Sequence, residues 1–308
     1  MDLHSTWRLV KTAVSSWKED YAPSMGAALA YYTMFSIAPL LLIVIAVAGM
    51  VFGEDAARGE ILAQLRGLIG EDGALAIQGL LRSVDERVTG TTVTLTGAVF
   101  LFVGSTTVFA ELQASLDRIW RAPALAQRQG IWGLLRRRVL SFGMILCIGF
   151  LLMVSLVAGA ALAALGRWWG PLFEGWEAVA QGIDFALSFA MTTLVFALIY
   201  KIMPRVHIRW HDVWIGAAVT ALLFTVGKLL IGLYLGKSGV ASVFGAAASL
   251  VVMLIWVYYS AQIFLMGAEF TWVYAHTFGS RKGQPMPGRS QTVPAKGERD
   301  DSGAAPVH

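Results

Sequence analysis

The chain has 308 residues, of which 56% are hydrophobic and only 14% are charged, and its formal net charge is +4. Soluble domains carry about 25% charged residues, so this composition and a mean hydropathy of +0.63 exclude an ordinary soluble protein. The single cysteine, Cys147, excludes an intrachain disulfide and a cysteine metal cluster.

The first 27 residues predict an amphipathic helix rather than a signal peptide, because charges interrupt them and no apolar core is present. The apolar residues recur with helical spacing and share one face: Trp7, Val10, Val14, Trp17 and Tyr21. We interpret residues 1–27 as a helix lying on the inner leaflet. A short soluble helix packed against cytoplasmic loops is the alternative.

Long apolar runs fill residues 28–278 and predict an all-α, polytopic membrane helix bundle. A membrane-spanning helix needs about 20 mainly apolar residues. Six windows reach this length: 30–52, 92–113, 139–165, 182–203, 213–235 and 242–274. The sequence therefore predicts six transmembrane helices.

The distribution of Lys and Arg predicts that both termini are cytoplasmic. In that orientation 17 of the 24 basic residues lie in cytoplasmic segments, six lie in outer segments, and Lys228 lies within a span. This bias follows the positive-inside rule. It predicts a multi-pass membrane protein whose cytoplasmic face contacts anionic lipid headgroups. Because topology explains the basic residues, they do not indicate nucleic acid as a partner.

The first span begins with hydroxyl groups and contains a proline, in "AYYTMFSIAPLLL". Tyr32, Ser36 and Pro39 share one helical face. Pro39 cannot donate to the carbonyl of Phe35, so that carbonyl needs another partner. The pattern predicts a kinked helix whose polar face points into the bundle. The alternative is that these groups only join neighbouring helices.

An acidic segment at 54–90 follows the first span. Two apolar stripes flank the sequence "GEDG" at 70–73. We predict two short amphipathic helices that cap the outer face, either as a structural cap or as a gate.

The second span ends in a polar stripe. Thr107, Glu111, Ser115 and Arg118 follow one another on a single helical face. This stripe either lines a cytoplasmic vestibule or forms an interfacial ion pair between Glu111 and Arg118.

Lys228 lies inside the fifth span, about 22 Å from its start at Val213 at 1.5 Å per residue. An ionisable residue within a span indicates a functional site with a partner. Asp184 is the carboxylate at a similar depth. Lys228 therefore forms an ion pair with Asp184, snorkels outward, or binds an anionic substrate.

The sixth span places Tyr258, Gln262 and Glu269 near one face. Gln262 is deep enough to need a partner. Glu269 reaches the inner interface, where we expect Arg205 or Arg209 to meet it.

The remaining sequence carries no catalytic signature. Nucleotide-binding and hydrolase motifs are absent, so we expect no enzyme activity and no cofactor. His207, His211 and Asp212 resemble a metal site only weakly, because no further ligand is near. Residues 279–308 are rich in Pro, Gly, Ser and charge and predict a disordered cytoplasmic tail.

Three stretches carry a resemblance to a known family: "ALAYYTMFSIAPLLL", "FVGSTTVFAELQASLDRIW" and the long run from "YKIMPRVHIRWHDVWIG" to "IWVYYSAQIFLMGAEF". In these the chain resembles the YihY/BrkB family of bacterial inner-membrane proteins. The resemblance implies an all-helical bundle of about six spans. Members have been described as ribonuclease BN, serum-resistance factors and transporters. The ribonuclease reading conflicts with the lack of a metal or acid–base cluster.

These observations favour a transporter or lipid-translocating protein for an amphiphilic or anionic substrate. Its cavity would be lined by residues from four spans: Tyr32, Ser36, Pro39, Thr107, Glu111, Lys228 and Gln262. A proton- or ion-coupled carrier, with Glu111, Asp184 and Glu269 as titrating groups, is the first alternative. A membrane scaffold without a substrate is the second. The sequence does not indicate an oligomeric state.

Overall fold

The computed structural model describes residues 3–85, 106–123, 176–237 and 248–283, together with single positions between 139 and 165. Regular secondary structure in this part of the chain is entirely helical, as predicted. The helices are α1 (Leu3–Glu19), α2 (Ala22–Phe52), α3 (Glu54–Asp85), α4 (106–119), α5 (Trp176–Ile202), α6 (Trp210–Lys237) and α7 (Ala248–Thr277).

Four of these helices are long and apolar enough to cross a membrane. They contain the segments Ala22–Met50, Ala178–Ile202, Trp210–Tyr234 and Leu250–Thr277. These segments match four of the six predicted windows. The windows 92–113 and 139–165 lie largely outside the described residues, as does the predicted tail beyond 283.

Helix α7 is the central element of the described bundle. It contacts α1, α2, α3 and α6, while α5 packs mainly on α6 and also reaches α7 through Phe196 and Tyr200, which contact Phe264. Its apolar residues join the largest core cluster, in which Leu265, Ala268 and Val273 are fully buried. Bulk water does not reach a helix that other helices surround. A polar side chain on such a helix therefore needs a hydrogen-bond partner in the protein or an internal water molecule.

Helices α6 and α7 approach closely through two reciprocal glycine–threonine contacts. A methyl group at Gly216 would overlap Thr271, and one at Gly267 would overlap Thr220. Each threonine hydroxyl donates to a carbonyl on its own helix, Thr220 to Gly216 and Thr271 to Gly267. Small residues facing threonines are a typical device for close helix packing in membranes. This pair of contacts fixes the position of α7 relative to α6.

Helix α1 packs on α7 through a small-residue face. Leu9, Ala13 and Ser16 are buried there. The face predicted from the apolar pattern is divided, because Trp7 and Val10 are exposed whereas Trp17 packs against the core cluster. The exposed part of this face is compatible with the predicted position on a leaflet.

The prediction of two short helices between 54 and 90 is wrong. Helix α3 runs without interruption from Glu54 to Asp85, through the "GEDG" sequence. Its buried residues Leu62, Ile77 and Leu81 join a cluster with residues of α2 and α7. Packing of both apolar stripes against the same neighbours outweighs the cost of two helical glycines, about 1 kcal/mol each.

The loops predicted to be cytoplasmic meet at one end of the described bundle. Gln113 donates to the carbonyl of Met203 (2.9 Å), and Arg281 donates to the carbonyl of His207 (3.2 Å). We call this the basic end, comprising residues 17–21, 117–123, 201–212 and 276–283. It contains the ends of α1, α4, α5 and α7, the turn between α1 and α2, and the beginning of α6.

Candidate functional site

A polar face on α7 runs from an exposed position to an enclosed one. It comprises Tyr258, Gln262 and Glu269, whose spacing places them on one side of the helix. The exposed fraction falls from 38% at Tyr258 to zero at Glu269, and Gln262 is half-buried between them. The face therefore opens sideways near the middle of α7 and closes toward the basic end.

The amide of Gln262 is enclosed without a hydrogen-bond partner in the described part of the chain. Neither its oxygen nor its nitrogen is paired, and both atoms are buried. The side chain lies against Gly26 of α2, where a methyl group would overlap the amide. An unpaired amide in an apolar medium costs several kcal/mol, so this position calls for water or a ligand.

Glu269 is likewise enclosed. Its carboxylate lies within hydrogen-bonding reach of the carboxylate of Asp20, and neither of these two groups supplies a donor when both are ionised. The charged groups that act on it most are Asp20 and Arg121, with Glu19 more weakly. The expectation that Arg205 or Arg209 meets Glu269 is wrong, because Arg205 pairs with Asp117 instead.

Asp20 links the start of α2 to the end of α4. Its Oδ1 lies 2.9 Å from Nη1 of Arg121, and its Oδ2 is buried without a hydrogen-bond partner in the described part. Arg121 also lies over the ring of Trp272, with 5.9 Å from its Cζ to the ring centroid. Trp272 lies one turn beyond Glu269 on α7, so the ion pair sits beside the enclosed end of the polar face.

A second ion pair holds α4 to the α5–α6 loop. Nε of Arg205 lies 3.1 Å from Oδ2 of Asp117. The backbone N–H of Arg205 donates to Oδ1 of the same carboxylate at 2.8 Å. Asp117 is buried, so this pair fixes the loop that carries His207 and Arg209.

A cleft of about 450 Å³ opens at the basic end. It is lined by Trp120, Arg121, Pro123, Val206, His207, Arg209, Ser280 and Arg281. None of the seven predicted cavity residues lines this cleft. Its lining residues come from the ends of α4 and α7 and from the α5–α6 loop, which lie far apart in sequence.

The structure distributes the predicted cavity residues over four helices. Ser36 and Pro39 are buried in α2, which stays helical through the proline, and Tyr32 is half-buried. Thr107 and Glu111 are half-buried on α4. Among the described residues, no hydrogen bond, ion pair or ring contact joins any two of the other predicted cavity residues, Tyr32, Ser36, Pro39, Glu111, Lys228 and Gln262.

Lys228 lies half-buried in α6, with its Nζ 5.8 Å from the ring centroid of Phe224. Asp184 is exposed on α5, and no ion pair joins the two side chains. The contact with Phe224 is a cation–π interaction within one helix, and the described residues show no hydrogen bond or ion pair to the ammonium.

Of the three residues considered as a weak metal site, Asp212 is hydrogen-bonded to another segment of the chain. Asp212 is buried and accepts hydrogen bonds from the backbone and the hydroxyl of Ser280. His211 lies 3.7 Å from the same carboxylate but is largely exposed. Among the described residues, no three His, Cys, Asp or Glu side chains converge on a metal site.

Sequence reasoning missed Asp20, Asp117 and Arg121. Each pair joins segments that are about a hundred residues apart, and one sequence carries no direct signal of such contacts. A usable signal did exist, because Asp20 and Asp117 are acidic residues within basic segments. A carboxylate in such surroundings is placed to pair with an arginine.

Comparison with known proteins gives a family-level match. The family described as "Virulence factor BrkB" matches residues 13–291. A UPF0761 membrane protein of Acinetobacter baylyi is 24% identical over 270 residues, covering 87% of this chain and 62% of the relative. A UPF0761 membrane protein of Pseudomonas aeruginosa is 27% identical over 253 residues, covering 81% and 58%.

The chain thus spans about three fifths of the length of the curated relatives that it matches. No solved structure gives a significant match.

Proposed function

The chain belongs to the BrkB family of membrane proteins, and on that premise we propose that it translocates an amphiphilic or anionic substrate, of the lipid class, across the membrane. The proposal includes an inner-membrane location with the basic end in the cytoplasm, as the Lys and Arg distribution predicts. It assigns no catalytic chemistry to the chain.

The observation that carries the proposal is the polar face of α7. Two of its residues, Gln262 and Glu269, bury polar atoms. The amide of Gln262 has no hydrogen-bond partner among the described residues, and the carboxylate of Glu269 lies against that of Asp20. Polar groups in a membrane domain face the bundle interior or a wet cavity. The unpartnered amide supports a hydrated path rather than a set of interhelical bonds.

The shape of this face favours an amphiphile over a small ion. The face is open at Tyr258 and enclosed at Glu269. A polar headgroup could follow the face while its acyl chains stayed in hydrocarbon beside Tyr258. A small ion would need an enclosed path along its whole length.

Reconstitution of the purified chain into vesicles tests the proposal. The readout is the transbilayer movement of a fluorescent phosphatidylglycerol, compared with protein-free vesicles. Gln262→Leu is expected to slow this movement at least tenfold, because it removes the polar lining without breaking a hydrogen bond. Gln78→Leu, the same change on α3, serves as the control and should leave the rate unchanged.

Lys228→Met tests the predicted cavity separately. Loss of movement in this variant would support a role for the cation toward an anionic substrate. Equal rates with and without the protein would contradict translocation and leave the scaffold alternative, in which buried polar groups only join helices.

A proton-coupled carrier is the second candidate, and the enclosure of Glu269 next to Asp20 favours it. In that case substrate addition should change the internal pH of the vesicles. Glu269→Gln should abolish the pH signal, and Glu111→Gln tests the second titrating residue. Substrate movement without any pH signal would exclude this candidate.

A further inference from the structure

The cleft at the basic end has a one-sided charge. Among the described residues that line it, Arg121, Arg209 and Arg281 are cationic and none is a carboxylate. Three acids that belong to the basic end, Asp20, Asp117 and Asp212, are buried and bonded to Arg121, Arg205 and Ser280 respectively. The open side of the cleft therefore presents an excess of positive charge.

Two of the guanidinium groups are held in place by stacking. Cζ of Arg281 lies 5.2 Å from the ring centroid of Trp120, and its Nη2 donates to the carbonyl of His207 at 3.2 Å. Arg121 is held between Asp20 and the Trp272 ring. A guanidinium has five N–H donors, so these contacts leave donors unused on both side chains. Groups that are already ordered lose less entropy when they bind a ligand.

Arg121 occupies a backbone position that normally belongs to glycine. Its φ is 52°, in the left-handed region. The N–H of Arg121 bonds to the carbonyl of Arg118, and that of Ala122 to the carbonyl of Asp117. These two bonds form a Schellman motif with Arg121 at the position where glycine is preferred. An arginine there costs about 1 kcal/mol or more, which indicates a role for its side chain.

An unpaired donor lies in the same wall. Nε1 of Trp120 is buried and has no hydrogen-bond partner in the described part of the chain. A buried indole N–H usually finds an acceptor.

We propose that this cleft binds a phosphate group that carries no cation of its own, held by Arg209 and Arg281 with Arg121 at its inner side. Arginine suits this role because its planar fork matches two phosphate oxygens at once. A lipid headgroup and a free phosphate offer the same chemistry. The inference rests on the proposed function and deepens it, because the cleft lies next to the enclosed end of the polar face of α7.

The test measures equilibrium binding to the purified full chain in phosphatidylcholine nanodiscs. The probes are short-chain phosphatidylglycerol, short-chain phosphatidylcholine and inorganic phosphate. Arg209→Gln is the first variant, because this side chain is exposed and forms no ion pair with a described residue. Arg209→Gln with Arg281→Gln is the second. Lys282→Gln is the matched control, an exposed cation at the same end outside the cleft.

Phosphatidylglycerol should bind more tightly than phosphatidylcholine. Its affinity should fall about tenfold in Arg209→Gln and further in the double variant, and by less than twofold in Lys282→Gln. Competition by inorganic phosphate would identify a free anion as a sufficient ligand. Retention of phosphatidylglycerol against excess phosphate would identify the lipid headgroup as the source.

Equal affinity for the two lipids would overturn the inference, as would an equal loss in Lys282→Gln. These outcomes are separable from failure of translocation. Lipid movement that depends on Gln262, together with equal binding of the two lipids, would reject the phosphate site alone. Phosphate binding without lipid movement would reject translocation and keep the site.

Discussion

The amide side chains of Gln113 and Gln262 have opposite effects on the stability of the fold. The amide of Gln113 donates to the carbonyl of Met203 and joins α4 to the end of α5. The amide of Gln262 is enclosed against Gly26 without a partner among the described residues. The first amide stabilises the fold, whereas the second costs stability and calls for a function.

The two leucine substitutions should therefore differ in sign. Gln113→Leu is expected to destabilise the protein by about 1 kcal/mol, because it removes an interhelical hydrogen bond. Gln262→Leu is expected to leave stability unchanged or to raise it, because it removes an unpaired amide. Thermal unfolding in detergent measures both. A larger loss in Gln262→Leu than in Gln113→Leu would show that Gln262 has a structural partner.

Asp117 and Arg205 form the ion pair on which the α5–α6 loop depends. Asp117→Ala would leave Arg205 and its backbone N–H without their acceptor. Breaking a buried pair on one side costs about 3 kcal/mol, so a marked fall in the unfolding temperature is expected. Glu54→Ala, in the exposed pair with Arg58, is the comparison and should change stability by less than about 1 kcal/mol. Similar losses in the two variants would contradict this account.

Among the elements, the contact between α6 and α7 sets the geometry of the polar face. Gly267→Ala would drive a methyl group into Thr220 and toward the hydroxyl of Tyr200, which bonds to the carbonyl of Phe264 at 2.7 Å. A loss of about 1–3 kcal/mol is expected. Gly232→Ala on α6 meets no atom within 4 Å and should be neutral or slightly stabilising. Unfolding of the two variants side by side checks this, and equal stability would contradict the close approach.

Helix α3 shows where local sequence rules failed. The "GEDG" sequence predicts a break, because glycine is a poor helix former. The helix nevertheless continues, since Ile77 and Leu81 beyond the glycines pack on the same cluster as Leu62 before them. The outcome depended on tertiary packing, which a stretch of sequence does not contain.

At the scale of the molecule, hydropathy alone predicted the four spans that the structure describes. Composition was sufficient for these helices because the hydrocarbon interior of a membrane requires a long, continuous apolar helix. The arrangement of side chains between helices was not predictable in the same way. Of the set grouped by polarity and depth, Tyr32, Glu111 and Lys228 are only half-buried, whereas the amide of Gln262 is enclosed without a partner among the described residues. Glu269, which was expected to meet an arginine at the interface, is enclosed as well. Helical periodicity gives the face of a residue on its own helix, and it does not give the neighbour that this face meets.

The most direct measurement of the hydrated path is the accessibility of single cysteines to a water-soluble thiol reagent. Thiols react as thiolates and need water to do so. The experiment starts from Cys147→Ala and adds either Gln262→Cys or Val226→Cys. Val226 is exposed on α6 at a similar depth, because its neighbour Gly227 contacts Ile263, the residue after Gln262.

In vesicles, the thiol of Gln262→Cys should react at least tenfold faster than that of Val226→Cys, because the proposal places position 226 against lipid. Slow and equal reaction at both positions would show that the polar face of α7 is dry, and would contradict a path for headgroups along it.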